Sequence, residues 1–212
     1  MTSLSRIEYW ADGVVHALGV AGAITACFVM VVLVPFGRDT ALDTAVTVYL
    51  FGLVAMIGAS AVYNLSSDSA PKALLRRIDH AAIFLMIAGT YTPFCVMVIG
   101  GAWGAGLLVA VWTLAVAGAA MRLFDWPRHD GITSAVYLVI GWLILVAVGP
   151  LIEAVSPAGL VLLAVGGLLY SVGVVFHLWS GLRFQRAIWH AFVVAAAACH
   201  FAAVLVDVVP KA

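Results

Sequence analysis

Seven apolar runs, each about as long as a bilayer is thick, follow one another with only short polar connections between them. A helix needs about 20 apolar residues to cross the hydrocarbon core, whereas a barrel strand needs about 9–11. The runs fall at about 14–35, 44–64, 78–98, 102–121, 132–151, 158–179 and 187–209, which is helix length and not strand length. Backbone N–H and C=O groups in lipid must be satisfied within the segment, so each run is predicted to be an α-helix. The predicted fold is therefore all-α, one seven-helix transmembrane domain covering residues 1–212. The breakers agree: Pro35, Pro71, Pro127, Pro150, Pro157 and Pro210 lie at or beyond predicted helix ends, where a missing N–H does little harm. Pro93 alone lies well inside a run. It is expected to kink the third helix and free a carbonyl near Gly89, with Thr90 or Thr92 close enough to satisfy it.

Composition excludes the alternative of a water-soluble core. Hydrophobic residues make up 65% of the chain and charged residues 9%, with mean hydropathy +1.16. Soluble domains carry about 25% charged residues, so too few are present here to cover a surface facing water. Formal net charge is zero, which leaves no basic footprint for a nucleic-acid partner; membrane lipids are the expected partners. The first run has acidic flanks (Glu8, Asp12) and exceeds the length of a cleaved signal peptide, so it is expected to be retained. Cys27, Cys95 and Cys199 all fall inside apolar runs and suggest buried thiols without a disulfide framework. No internal repeat is visible, and seven helices do not divide into equal halves, which weakens a transporter reading.

Arginine and lysine set the expected orientation. One face of an odd-numbered bundle carries Arg6, Lys72, Arg76, Arg77, Arg122, Arg128, Arg183 and Arg186, while the other carries only Arg38 and Lys211. Cytoplasmic connections are the cationic ones, so the N-terminus is expected inside and the C-terminus outside. Trp10, Trp103, Trp126, Trp179 and Trp189 near predicted ends are consistent with aromatic belts.

On this topology several polar residues share one depth. Ser60 and Asn64 end the second helix, Asp79 and His80 begin the third, and His177 ends the sixth. Arg186 and His190 begin the seventh, and His16 begins the first. Ser60–Asn64, Arg186–His190 and Asp12–His16 are each spaced i,i+4 and so share a helix face. An acid just inside an apolar segment is costly without a partner, which makes Asp79 a candidate functional residue; the plainer alternative is that it caps the third helix. His16, His177 and Arg186 also have a plainer reading as interfacial groups facing water or headgroups. His200 lies deeper on the seventh helix and is expected to bond a neighbouring helix, and His129 to be solvated in a loop.

These residues resemble a known family. Ser60-Ala-Val-Tyr63-Asn64, Asp79-His80 leading to Ala88-Gly89-Thr90-Tyr91-Thr92-Pro93-Phe94, Ala187-Ile188-Trp189-His190-Ala191-Phe192 and Cys199-His200-Phe201 resemble the hemolysin III proteins. Those are the bacterial branch of the progestin and adipoQ receptor family. The resemblance runs almost end to end, including Glu8…Asp12…His16, and implies seven helices with the N-terminus inside, in the bacterial plasma membrane. It also implies a zinc site held by three histidines, one on the second helix and two on the seventh, supported by an aspartate and a serine. Related membrane hydrolases use such zinc to activate water against lipid amide bonds. Carried over, Ser60, Asp79 and His190 match, but Asn64 and Arg186 occupy two of the three ligand positions. Asparagine is a weak neutral donor, and arginine stays protonated with no lone pair to give.

Two readings follow. In the first, the site is degenerate and holds no metal. Arg186 places a fixed positive charge where zinc would sit, pairs with Asp79, and takes polar support from Asn64 and Ser60; the protein acts in membrane homeostasis or lipid sensing. In the alternative, it is a zinc-dependent lipid amide hydrolase. His190 is then the retained ligand, His16 and His177 are substitutes for the lost ones, and Asp79 and Ser60 are the catalytic groups. A haemolytic role has no support beyond the family's name, since no amphipathic pore-lining helix is readable.

Overall fold

The computed structural model describes residues 5–66, 71–124 and 130–211; Trp126, Pro127, Arg128 and His129 lie outside the described residues. Among the described residues there is no strand, and seven helical segments are long and apolar enough to cross a membrane. The first is α1 (Arg6–Leu33), starting earlier than the apolar run because Ser5 and Glu8 form a capping box. Ser5 Oγ accepts the Glu8 N–H at 3.3 Å, and Glu8 Oε2 accepts the Ser5 N–H at 2.9 Å. The second, α2 (Thr40–Leu65), is capped by Asp39, which accepts from Ala41 N–H and Leu42 N–H.

The third span is α3 (Lys72–Pro93), continued by a π-helical turn over Phe94–Ile99. Asp79 therefore lies well inside α3, not at its first turn, and the capping reading of Asp79 does not hold. Pro93 is absorbed by the π turn, a usual response to a lost backbone bond. Thr90 and Thr92 do not serve the Gly89 carbonyl: their hydroxyls donate to Met86 O (2.9 Å) and Ala88 O (2.8 Å). α4 (Gly101–Leu123) follows after Gly100, whose φ of 62° suits only a residue without Cβ.

The fifth span is interrupted, which the apolar run did not reveal. α5 (Asp130–Gly141) gives way to a 3₁₀ stretch over Leu143–Ala147 and then to α6 (Val148–Ala154). A break at membrane depth needs its backbone groups satisfied by protein. Tyr91 does this from α3: its hydroxyl lies 3.1 Å from Ile140 O and 2.8 Å from Gly141 O, and accepts Ile144 N–H at 2.8 Å. Beside it, Trp142 Nε1 donates to Ser171 Oγ at 3.0 Å.

α7 (Pro157–Leu178) and α8 (Gln185–Asp207) complete the bundle. Ser156 caps α7, and the Asp207 carboxylate at the far end of α8 accepts from both Ser156 N–H (2.8 Å) and Ser156 Oγ (3.2 Å). A Cβ at Gly159 would collide with that carboxylate. Phe184, with φ of 60°, turns the chain into α8, and its N–H is held by Glu8 Oε1 at 3.0 Å. Helices in lipid gain little by hiding apolar surface from one another, so close contact depends on small residues. Gly52 and Gly89 let α2 and α3 touch: a Cβ on either would lie 3.2 Å from a carbonyl oxygen of the other helix. The glycines of the fourth and sixth spans act similarly, with Gly118 against Phe84, Gly166 against His200 and Gly173 against Trp189 and Phe192.

Tyr91→Phe is expected to leave the backbone around the α5 break unsatisfied, at a cost of about 1–3 kcal/mol. A thermal-unfolding midpoint in detergent several degrees below that of the unaltered protein checks it.

Candidate functional site

Four helices each bring polar side chains to one buried point in the half of the bundle that holds the N-terminus. α1 supplies Asp12 and His16, α2 supplies Ser60 and Asn64, α3 supplies Asp79, and α8 supplies His190. The i,i+4 spacing of Asp12–His16 and Ser60–Asn64 puts each pair on one helix face.

Asp12 is the hub. It is 2% exposed, and its Oδ1 lies 2.6 Å from His190 Nδ1, joining the first helix to the last. Its backbone carbonyl lies 2.9 Å from His16 Nδ1, whose distance to Oδ1 is 3.5 Å. A backbone carbonyl can only accept, so His16 carries a proton on Nδ1 and, as the neutral ring, keeps a lone pair on Nε2, while His190 Nδ1 and Asp12 Oδ1 share one proton across their contact. His16 Nε2 faces Ser60 Oγ at 3.3 Å, and the two rings stand 4.3 Å apart in an edge-on arrangement. Asn64 Nδ2 donates to Ser60 O (3.0 Å) and Ser60 Oγ (3.3 Å). The Ser60 hydroxyl is also a partner of the buried Asp79 carboxyl, on which His190 and Arg76 act electrostatically.

The site opens into a cavity of about 460 Å³. His16, Ser60, Asp79, His80 and His190 form part of its wall, and most of the remainder is apolar, reaching Trp142, Leu151 and Leu160 in the other half of the bundle.

Several expectations need correction. No ion pair joins Arg186 to Asp79 among the described residues. Arg186 sits in the first turn of α8, one turn nearer the bundle's end than His190, and its charge acts on Tyr63. Asp79 draws instead on Ser60 and His190. His177 does not join the cluster: its ring packs on Trp189 at 4.9 Å, and Gln185 Nε2 donates to its carbonyl. His80, adjacent in sequence to Asp79, belongs to a second polar group. Arg122, 2% exposed, lies 2.6 Å from His80 Nδ1, while Tyr137 donates to His80 O at 2.7 Å. Asp130 of that group takes a two-pronged bond from Arg76 at 2.7 and 2.8 Å. His200 faces Leu163 O at 3.4 Å on α7, the inter-helix role expected of it.

Asp12 is the residue that sequence reasoning left out. Its spacing to His16 was visible, but beginning the first span at residue 14 made it a flank. The capping box at Ser5 and Glu8 was the available signal that the helix starts earlier and carries Asp12 inward.

A bundle of seven membrane-length helices around a buried histidine–carboxylate cluster defines a polytopic membrane protein with a polar centre in one half. The family described as Haemolysin-III related matches residues 6–201. The chain is 38% identical over 199 residues to a hemolysin-3 homolog of Bacillus subtilis (strain 168), covering 93% of each chain. It is 36% identical over 214 residues to hemolysin-3 of Bacillus cereus, covering 100% of this chain and 98% of that one. The human monocyte to macrophage differentiation factor is 30% identical over 168 residues, 74% of this chain and 67% of that protein. The chain belongs to the haemolysin III family.

The three-histidine zinc set that the resemblance implies does not fit the residues present. Asn64 is bonded to Ser60, and Arg186 has no lone pair to offer. The group of donors that can hold a metal, among the described residues, is Asp12, His16 and His190, whose ligand atoms lie within 4.8 Å of one another. Ligands of one tetrahedral zinc at about 2.0–2.1 Å stand roughly 3.4 Å apart, so His190 Nδ1 and Asp12 Oδ1, a hydrogen bond at 2.6 Å, could not both ligate one ion without moving apart.

Asp12→Ala strips the acceptor from His190 and is expected to destabilise the bundle by about 1–3 kcal/mol, with Asp12→Asn costing less because an acceptor oxygen remains. Ranked thermal midpoints of the two variants in one detergent check this order.

Proposed function

We propose that this haemolysin III-family protein handles lipid in the bacterial plasma membrane, in lipid sensing or membrane homeostasis, with the N-terminal end of the bundle facing the cytoplasm. The observation that supports the reading is the shape and chemistry of the cavity: an apolar chamber inside the bundle that ends on His16, Ser60, Asp79 and His190. Pockets of this kind use a large apolar wall for affinity and a few convergent polar groups for orientation. An acyl chain suits the wall, and a polar carbonyl or carboxyl head suits the histidine–serine end. The expected orientation is supported by eight of the ten cationic residues falling in the N-terminal segment and the connections expected on the same side of the bundle. In this reading the family's zinc position is occupied by a hydrogen-bonded network, with Asn64 and Arg186 in place of ligands.

A second reading is supported by the Asp12, His16 and His190 group: a divalent-metal hydrolase acting on lipid amide bonds. The three residues would hold the ion once the Asp12–His190 contact opened, and the ion would supply Lewis-acid chemistry next to Ser60 and Asp79.

Metal content separates the two. The first reading expects no stoichiometric zinc in protein purified without chelator; one zinc per chain, lost in His16→Ala, supports the second and ends the first. For lipid, native mass spectrometry of the detergent-solubilised protein is expected to show a co-purified acyl lipid. Ala164→Phe, which fills part of the cavity, is expected to remove it, and retention in that variant would count against the cavity as its site.

A further inference from the structure

The network that stands where a metal would be expected has the parts of an acyl-transfer centre. A nucleophilic centre needs a hydroxyl within reach of a base, a base held in the right tautomer by a third group, and a donor beside the carbonyl to be attacked. Ser60 Oγ stands 3.3 Å from His16 Nε2, a length common for catalytic hydrogen bonds before substrate binds, and its single proton has a second acceptor in the Asp79 carboxyl, so attack needs the hydroxyl turned toward His16. The Asp12 carbonyl, at 2.9 Å from His16 Nδ1, holds the proton there, so the lone pair faces the serine. The Asp12 carboxylate at 3.5 Å favours the cationic imidazole that forms when a proton arrives. Asn64 Nδ2 donates to Ser60 O (3.0 Å) and to Ser60 Oγ (3.3 Å), and the N–H on Oγ is the one that would turn to the oxyanion once that atom carries the new bond. Ser60 and His16 both line the cavity, which places the hydroxyl at the polar end of an apolar chamber.

We propose that Ser60, His16 and Asp12 form a metal-independent serine acyl-transfer centre whose substrate is a long-chain carboxylic ester lodged in the cavity. Ser60 Oγ attacks the ester carbonyl carbon while its proton passes to His16 Nε2, and the carbonyl oxygen becomes an oxyanion facing the Asn64 amide. Collapse of the tetrahedral species breaks the ester C–O bond; His16 returns the proton to the departing alcohol, leaving an acyl ester on Ser60. Water then enters, gives a proton to His16, attacks the acyl carbon and releases the fatty acid, with the proton going back to Ser60 Oγ. An ester suits the site better than an amide because a single side-chain donor supports the oxyanion. Ser60 is the catalytic nucleophile, His16 the base, and Asp12 a positioning residue.

The nucleophile does not depend on what fills the cavity; the choice of a long-chain substrate rests on the lipid reading above. The test uses the full-length protein in detergent with a small fluorophosphonate, which reports an activated serine without needing an acyl chain. Expected are phosphonylation at Ser60 and not at Ser171, located by peptide mass spectrometry, no labelling of Ser60→Ala, and no loss of labelling with chelator. His16→Gln is expected to slow labelling about 100-fold or more, in protein shown by size exclusion and thermal unfolding to be folded. Asp12→Asn, which keeps the carbonyl but neutralises the carboxylate, is expected to slow labelling less than His16→Gln does. Three results would overturn the centre: an unmodified Ser60 in the folded, unaltered protein, equal labelling in His16→Gln, or labelling abolished by chelator and restored by zinc. Competition by a long-chain ester but not its short-chain analogue supports the substrate class; labelled Ser60 without such competition overturns that class while leaving the nucleophile in place, and the lipid reading stands or falls separately on the co-purified lipid.

Discussion

Moving a carboxylate out of water costs several kcal/mol unless a partner compensates it, and this chain carries Asp12 fully into a bundle whose solvent is lipid. The compensation comes from the opposite end of the sequence: His190, 178 positions away, meets it at 2.6 Å. That contact links α1 to α8. Around it the same seam is reinforced by the Glu8 carboxylate holding Phe184 N–H, and α1 is tied to α2 by Tyr9 OH on the Leu65 carbonyl at 3.1 Å. The polar centre is thus also a structural element, since the groups that give the site its chemistry fix which helices are neighbours.

Polar side chains elsewhere follow the same logic. Buried Arg122 is held within a group of His80, Thr133 and Asp130 that joins α3, α4 and α5. Tyr91 spans from α3 to the broken fifth span, and Asp207 ties the end of α8 to the start of α7. Between these polar joints the packing is of small residues on larger ones, as expected where lipid offers apolar side chains no incentive to leave it. The cavity lies between the joints, bounded by the Asp12–His190 seam at one end and by the Trp142–Ser171 bond near the other.

The spans were legible because their signal, about 20 apolar residues in succession, is local and strong. The break at Gly141–Ala147 was not, because what permits it is a tyrosine hydroxyl about 50 positions upstream, and no local pattern carries that. The site was half legible. His16, Ser60, Asn64, Asp79 and His190 were each marked by being polar at one depth, and they do converge. Which of them touch depends on helix rotation: i,i+4 spacing shows that Arg186 and His190 share a face of α8, but not that His190 enters the cluster while Arg186, among the described residues, makes no ion pair with Asp79. Asp12 was missed because hydropathy defines a helix by its lipid-facing middle, whereas this helix is extended by a capping box that hydropathy does not register.

The Ser156–Asp207 joint has a consequence for how this sequence can drift. Position 159 is empty of a side chain because the Asp207 carboxylate fills the space a Cβ would take, so the two sites are not free to vary separately. Alanine at 159 becomes accommodated only after the acid at 207 shrinks or leaves and the Val155 side chain gives way, and bulk acquired there then bars the acid's return. The pair behaves as a ratchet, and the one combination descendants of this chain should not carry is the acid at 207 with a side chain at 159.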